Sequence, residues 1–393
     1  MNRFPIFMLA LGAFLTGISE MIVAGILPFI ANDLDVNVGT AGQLVTLFSL
    51  SFAAGTPVVI AITSRMDRKK LLLLSLAVFI AGSVLSALST HYGLLVLSRI
   101  ILGVSAGVYS VVAFSAAAKL VRPNQVGSAI GFITLGINSA MVLGVPAGVF
   151  ISKWLSWQAN FAALAALAFI ALVGMAKLLP PTQGDEPVPF GKQFALLKDP
   201  VIVSGFALSL LFTVSISVLN TYMTPYLQTV LHQGTSAVAV TLLVLGAASV
   251  AGARLGGITA DKWGTVRLMT FGLAVVALSL GLLPVLAGWQ FAGLLLLIVW
   301  MLTASMVIPA VPTYFIQYAQ GSSNLILGLN MSVLHLGVAV GAGAGGIVID
   351  SWQTPFFIPW IASAVAAASL ASGAVSFFLR QKRTATLSGL SEG

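Results

Sequence analysis

Apolar residues in this chain fall into long runs separated by short polar segments. A membrane-spanning helix needs about 20 mostly apolar residues. Twelve runs meet that length, at about 6–29, 41–62, 71–90, 94–117, 128–150, 160–179, 200–226, 237–257, 268–287, 291–313, 325–348 and 356–379. The pattern predicts an all-α membrane protein of twelve transmembrane helices. Most connections are short. The longest, Pro180 to Pro200, is polar and proline-rich, with Gly184, Asp185, Glu186, Pro187 and Pro189. It predicts a six-helix bundle over 1–179, a cytoplasmic linker at 180–199, a second six-helix bundle over 200–380 and a tail at 381–393. The first run is too long for a signal peptide and no small-residue cleavage site follows it, so it is read as a retained span.

Composition narrows the class. The chain is 59% hydrophobic and 7% charged, against about 25% charged in soluble domains, which excludes a soluble fold. There is no cysteine, so neither a disulfide nor a thiol metal site is available. His91, His232 and His335 lie far apart without metal-ligand spacing, and no metal or cofactor is expected. No Gly-x-x-x-x-Gly-Lys-Ser/Thr loop occurs, which excludes ATP as the energy source. No cluster of nucleophile, base and metal ligands points to an enzyme.

The positions of Lys and Arg set the orientation. With the N-terminus in the cytoplasm, the inner segments hold Arg3; Arg65, Arg68, Lys69 and Lys70; Lys119 and Arg122; Lys177, Lys192 and Lys198; Lys262 and Arg267; and Arg380, Lys382 and Arg383. The outer loops hold only Lys153, while Arg99 and Arg254 lie within spans. Both termini are therefore expected inside. The same asymmetry accounts for the net charge of +8 without a nucleic-acid partner.

The halves echo each other. The loop after the second span reads Ile60 to Lys70, and the loop after the eighth reads Gly257 to Arg267. Both are basic and join the second and third spans of their half. A parallel repeat of six spans is the architecture of a rocking transporter with its site between the halves.

On these residues the chain resembles the major facilitator superfamily, and within it the twelve-span drug:proton antiporters, close to bacterial efflux proteins for purines, nucleosides and sugars. The family's loop signature is Gly-x-x-x-Asp-Arg/Lys-x-Gly-x-x-Arg/Lys. The second-half loop fits it with Gly257, Asp261, Lys262, Gly264 and Arg267. The first-half copy keeps Arg65 and Lys70, but has Ile60, Ser64 and Asp67 where the signature has Gly, Asp and Gly. The resemblance implies a conformational latch over these loops, including Arg65, Asp67 and Arg68. Arg99 to Gly103 resembles the Arg-x-x-Gln-Gly signature of the fourth span, with Leu102 in place of Gln. Gly136, Gly144, Pro146 and Gly148 resemble the glycine- and proline-rich antiporter signature of the fifth, with Val145 between Gly144 and Pro146. The resemblance implies a proton-coupled exporter in the bacterial inner membrane, monomeric, with a small-molecule substrate and multidrug resistance as a possible role. A proton-independent facilitator or importer on the same fold is the alternative.

The run from Pro5 to Ile30 holds one charged residue, Glu20. A carboxylate at the centre of a bilayer costs about 3 kcal/mol or more, and is kept where it faces a watery cavity and handles protons, ions or substrate. Glu20 lies roughly 12 Å from the outer end of its span, and Arg99 roughly 8 Å from the outer end of the fourth, at 1.5 Å per residue. Their comparable depth makes them the candidate proton-coupling pair; the alternative is a static ion pair that tethers two helices. Gly12, Thr16 and Glu20 share one face of the first span. In the seventh, Thr213, Ser217, Asn220, Thr221 and Thr224 recur at the helical period, with Tyr222 and Tyr226 flanking Pro225, an expected kink. This stripe suits a neutral polar solute with tyrosines stacking on it; each hydroxyl can equally bond its own helix or a neighbour. Asn330 and His335 in the eleventh span, Asn138 in the fifth and Tyr109 in the fourth complete the candidate substrate contacts.

Overall fold

In lipid, a backbone amide finds no water, so a spanning segment must close its own hydrogen bonds. The computed structural model describes residues 3–122, 125–183, 198–318 and 323–391, and no strand occurs among them. Among the described residues, twelve helical stretches are long and apolar enough to cross a membrane. They are built from α1 (Arg3–Asp33), α2 (Val38–Ile62), α3 (Arg68–Ala87), α4 (Tyr92–Leu120), α5 (Val126–Ser139), α6 (Val145–Trp154), α7 (Trp157–Leu178), α8 (Pro200–Thr221), α9 (Met223–Thr229), α10 (Thr235–Trp263), α11 (Thr265–Leu282), α12 (Gln290–Val307), α13 (Ala310–Tyr318), α14 (Ser323–Trp352) and α15 (Ile358–Ser391). Residues 184–197 of the expected linker lie outside the described residues.

Proline explains the spans that come in two pieces. Proline has no N–H for the carbonyl four residues back. Pro225 leaves the carbonyl of Thr221 without that bond, and α8 ends there, with Tyr222 between α8 and α9. Pro309 and Pro312 lie at the junction of α12 and α13. Pro146 stands at the start of α6, and a π-helical turn over Ala140–Gly144 joins α5 to it. That turn falls inside the glycine-proline signature of the fifth span.

Several helices outrun their expected ends. α14 continues to Trp352, four residues beyond 348, and carries Asp350 inside the helix. Glu20 is therefore not the sole acid within a span, as the shorter boundaries implied. α10 runs to Trp263, so Asp261 and Lys262 sit in its last turn rather than in a loop. The cation there complements the negative end of the helix dipole.

The chain forms two compact units. The first comprises Met1–Pro187, Asn220–Gly246 and Ala342–Pro355, and the second Val188–Leu219, Ala247–Gly341 and Phe356–Gly393. Inside the first unit, α9 and the C-terminal end of α14 are bonded to first-half helices. Thr224 Oγ1 donates to Gly25 O of α1 at 3.0 Å, and Gln43 Nε2 of α2 donates to Gly343 O at 3.3 Å. Inside the second, Ser217 Oγ of α8 donates to Val338 O of α14 at 2.9 Å, and Ser215 Oγ to Ala362 O of α15 at 2.7 Å.

Candidate functional site

Arg99 is fully buried in α4. A guanidinium offers five donors in a fixed fork, and here the fork ties three helices of the first unit. Nη1 donates to Ser19 O of α1 at 2.9 Å and to Ser19 Oγ at 3.5 Å, while Nε reaches Leu44 O of α2 at 3.4 Å. The Phe48 ring lies 4.3 Å from the guanidinium carbon, a cation–π contact that strengthens where water is excluded. Glu20 follows Ser19, is half-buried and lies within electrostatic reach of Arg99. The hydrogen bonds that hold the cation go to main-chain oxygens and a serine. These bonds anchor the cation on α1 and α2 without using the Glu20 carboxylate, and Nη2 is buried with no hydrogen-bond partner among the described residues.

The glycines of the fifth span form the bed on which α1 lies. A Cβ at Gly136 would meet Ala10 O at 2.5 Å, one at Gly144 would meet Ile18 Cγ1 at 2.6 Å, and one at Gly148 would meet Ile22 Cγ1 at 2.5 Å. Ile18 and Ile22 bracket Glu20. The antiporter-like spacing thus has a direct physical use: only glycine lets α5 and α6 approach α1 this closely where it carries the carboxylate. Asn160 of α7 holds the far end of this bed, donating to Ser152 Oγ at 2.8 Å and to Gly148 O at 3.3 Å.

The other candidate side chains divide by what they bond. Thr16 and Thr213 turn back on their own helices, donating to Ala13 O at 3.1 Å and Ser209 O at 2.9 Å. Ser217 and Thr224 bridge helices as described. Tyr109 is fully buried against Gly12, with its hydroxyl donating to Leu9 O at 3.0 Å. Tyr222 donates to Ala342 O at 2.7 Å. Other candidates keep hydrogen-bonding capacity. Asn220 is half-buried and its side chain makes no hydrogen bond among the described residues. The Tyr226 hydroxyl and Asn330 Oδ1 are buried without a hydrogen-bond partner there. His335 is half-buried in α14, and the Asn138 side chain lies outside the described residues. Among the described residues, no group of three His, Asp or Glu side chains could hold a metal ion.

The two signature loops use different chemistry at the same place. Gly264 caps α11 with φ +83° and ψ 150°, a conformation essentially confined to glycine. Its counterpart Asp67 caps α3 at φ −54°, with Oδ1 accepting from Lys70 N at 3.0 Å. Asp67 does more: Oδ2 accepts from Thr182 N at 2.8 Å, and Arg68 N donates to Thr182 O at 2.7 Å. The departure from glycine thus fastens the start of the linker to the loop. Arg68 is buried, while Arg65, Asp261, Lys262 and Arg267 are exposed. Gly257 has nothing within 4 Å of a Cβ, which fits the tolerance of Ile60 at the matching position.

Just before α8, Asp199 ties together the ends of three spans. It pairs with Arg383 at 2.6 Å and accepts from Tyr318 Oη at 3.0 Å and from Val201 N at 2.9 Å. Partial burial alone would raise its pKa, but the hydrogen bonds from Arg383, Val201 and Tyr318 outweigh it and hold the carboxyl below its ordinary value.

Sequence reasoning missed a cluster around Asp350 where α2 crosses α14. Tyr92 Oη donates to Thr40 O at 2.7 Å, and Thr40 Oγ1 to Asp350 Oδ2 at 3.5 Å. The signal was present: Ile347, Val348 and Ile349 continue the apolar run to Asp350. Elsewhere in the first unit, Asn32, Asp33, Ser156, Gln158, Gln228 and Thr235 line a groove of about 410 Å³. There Asp33 Oδ2 accepts from Trp157 Nε1 at 2.8 Å and Gln158 Nε2 at 3.0 Å.

Comparison with known proteins agrees with this architecture. The family model of the Major Facilitator Superfamily matches residues 9–324. The uncharacterized MFS-type transporter YbcL of Bacillus subtilis is 36% identical over 350 residues, covering 89% of this chain and 90% of its own. The chloramphenicol resistance protein of Streptomyces lividans is 29% identical, over 86% of this chain and 82% of its own. Among solved structures, the D-xylose-proton symporter superposes with a TM-score of 0.75 at 18% identity, over 95% of this chain and 97% of that one.

Proposed function

The chain belongs to the major facilitator superfamily, a family of membrane transporters, and on that premise we propose that it exports small neutral or weakly charged solutes in exchange for protons. The observation that carries this reading is a carboxylate within a span, beside a buried cation that is held by other groups. In the proposed cycle, Glu20 takes a proton when its surroundings open outward and releases it when they open inward. Arg99, anchored on Ser19 and Leu44, keeps a fixed positive potential next to it. The bonds from Arg99 to Ser19 O and Leu44 O do not use the Glu20 carboxylate, so they hold the guanidinium while Glu20 changes charge, although Nη2 is buried with no hydrogen-bond partner among the described residues.

Export rather than import is supported by the glycine bed of the fifth span, with its antiporter-like spacing, and by the similarity to the chloramphenicol resistance protein of Streptomyces lividans. The solute class follows from the available donors and acceptors. Asn220, Tyr226 and Asn330 offer hydrogen bonds to neutral polar groups, as in nucleobases, nucleosides, sugars or uncharged drugs. The paucity of intramembrane charge disfavours multiply charged substrates. The excess of Lys and Arg on alternate connections supports both termini in the cytoplasm of a bacterial inner membrane. The signature loops act as the latch between states.

The test is solute counterflow in proteoliposomes with and without an imposed pH gradient. Candidate solutes come from a thermal-shift screen of bases, nucleosides, pentoses and antibiotics, since a ligand of the native state raises the melting temperature. An exchanger accumulates solute against its gradient only when a pH difference is applied. Equal net flux at zero and imposed gradients would instead mark a facilitator.

A further inference from the structure

Helix α2 begins without a cap of its own. Asn37 precedes its first turn and makes no side-chain capping bond, so the first N–H groups and the positive end of the helix dipole are left uncovered by the local sequence. The covering charge comes from another helix. A Cβ at Gly39 would lie 2.4 Å from Asp350 Oδ1 and 2.4 Å from Gly346 O. The carboxylate of α14 therefore rests on the first turn of α2, at the point where glycine lets the helices touch.

The contact is stabilised but not locked. Asp350 Oδ2 receives only the long 3.5 Å bond from Thr40, Oδ1 is buried with no hydrogen-bond partner, and Asp350 has no ion-pair partner among the described residues. Tyr92 of α4 and Tyr222 between α8 and α9 are the titratable neighbours in electrostatic reach. Both spend their hydroxyls on main-chain oxygens, of Thr40 and Ala342. An incompletely satisfied carboxylate is costly to bury, so the closed contact draws on the charge–dipole attraction and gives way when that is removed. A joint that must part in every transport cycle needs this balance.

We propose that Asp350 is a positioning residue for transport: its carboxylate caps α2 across the α2–α14 crossing and holds this end of the two helices shut. It favours the state in which this contact is formed, since a differential interaction between two states is the condition for shifting their equilibrium. The proposal rests on the alternating opening in the reading above, and so does the statement that this end faces outward.

The absence of cysteine permits a clean test. Thr46 lies deeper on α2 with its hydroxyl buried and facing Gly343. With Thr46→Cys as the single thiol, labelling by a membrane-impermeant maleimide is timed in intact cells and in inverted vesicles. Adding Asp350→Asn should raise the labelling rate from one side by about threefold, the loss expected for one charge–dipole contact. Asp350→Glu should restore the parent rate. Gly39→Ala, which pushes the carboxylate off the turn, should act like Asp350→Asn and carries the test if the Asn variant does not accumulate. An increase only from outside supports both gate and topology. An increase only in inverted vesicles keeps the gate and overturns the orientation. An unchanged rate in either variant, or equal acceleration from both sides, overturns the proposal.

Discussion

Arg99 holds the carbonyl oxygen of Ser19 at 2.9 Å, so the cation nearest to Glu20 is bound to the main chain beside it. A lysine has no planar fork and cannot reach Ser19, Leu44 and the Phe48 ring together. Arg99→Lys should lose part of the three-helix tie, and Arg99→Gln more. The Gln variant is expected to lose about 3 kcal/mol, read as a fall in detergent melting temperature.

The bed under α1 predicts a contrast between two glycines of α5. Gly136→Ala places a methyl 2.5 Å from Ala10 O, whereas Gly131→Ala meets nothing within 4 Å. The first should cost about 1–3 kcal/mol as overpacking and impair transport. The second should be neutral or stabilise by about 0.5–1 kcal/mol through helix propensity. Melting curves and counterflow rates of the two variants decide it.

How far these features were legible in the sequence depended on their chemistry. The spans were, because about 20 apolar residues in a row have few other uses, and Pro225 announced the break at Tyr222. Glu20 and Arg99 stood out as charges among apolar neighbours. What Arg99 holds was not legible, because carbonyls of Ser19 and Leu44 carry no residue-type signal. Asp350 was lost at a boundary: the eleventh span was ended at 348, so its acid passed for a loop residue. The seventh-span stripe showed its period but not its partners; Thr213 turns inward on its own helix while Thr224 bridges to Gly25. Asp67 looked like a flaw in a signature until its bond to Thr182 was located.

A second glycine pair separates backbone need from packing. Gly264, at φ +83°, should not tolerate Ala without a loss of about 1–3 kcal/mol. Gly257→Ala, with open space at its Cβ, should melt with the parent. Equal losses at both positions would contradict the capping account of the second-half loop.

Asp199 gives a pH signature outside the spans. Its native carboxyl is held below the ordinary value, so its stabilisation is complete above the unfolded-state pKa of about 3.9. It is lost as pH falls through the lowered native value. Arg383 is 57% exposed, so the pair is screened and its contribution is below about 1 kcal/mol. The gap in melting temperature between parent and Asp199→Asn should be small near neutrality and close as the pH drops below 4. A gap that widens in acid would reverse the assigned sign.

The exchange mechanism rests on the charge change at Glu20, and one comparison reaches it directly. In proteoliposomes, Glu20→Gln and the parent are assayed for net solute flux driven by a pH gradient and for solute–solute exchange at uniform pH. Loss of gradient-driven flux with exchange preserved is the predicted result, since a neutral side chain can still rock with solute but cannot carry a proton. Gradient-driven accumulation by Glu20→Gln at the parent's rate would contradict it.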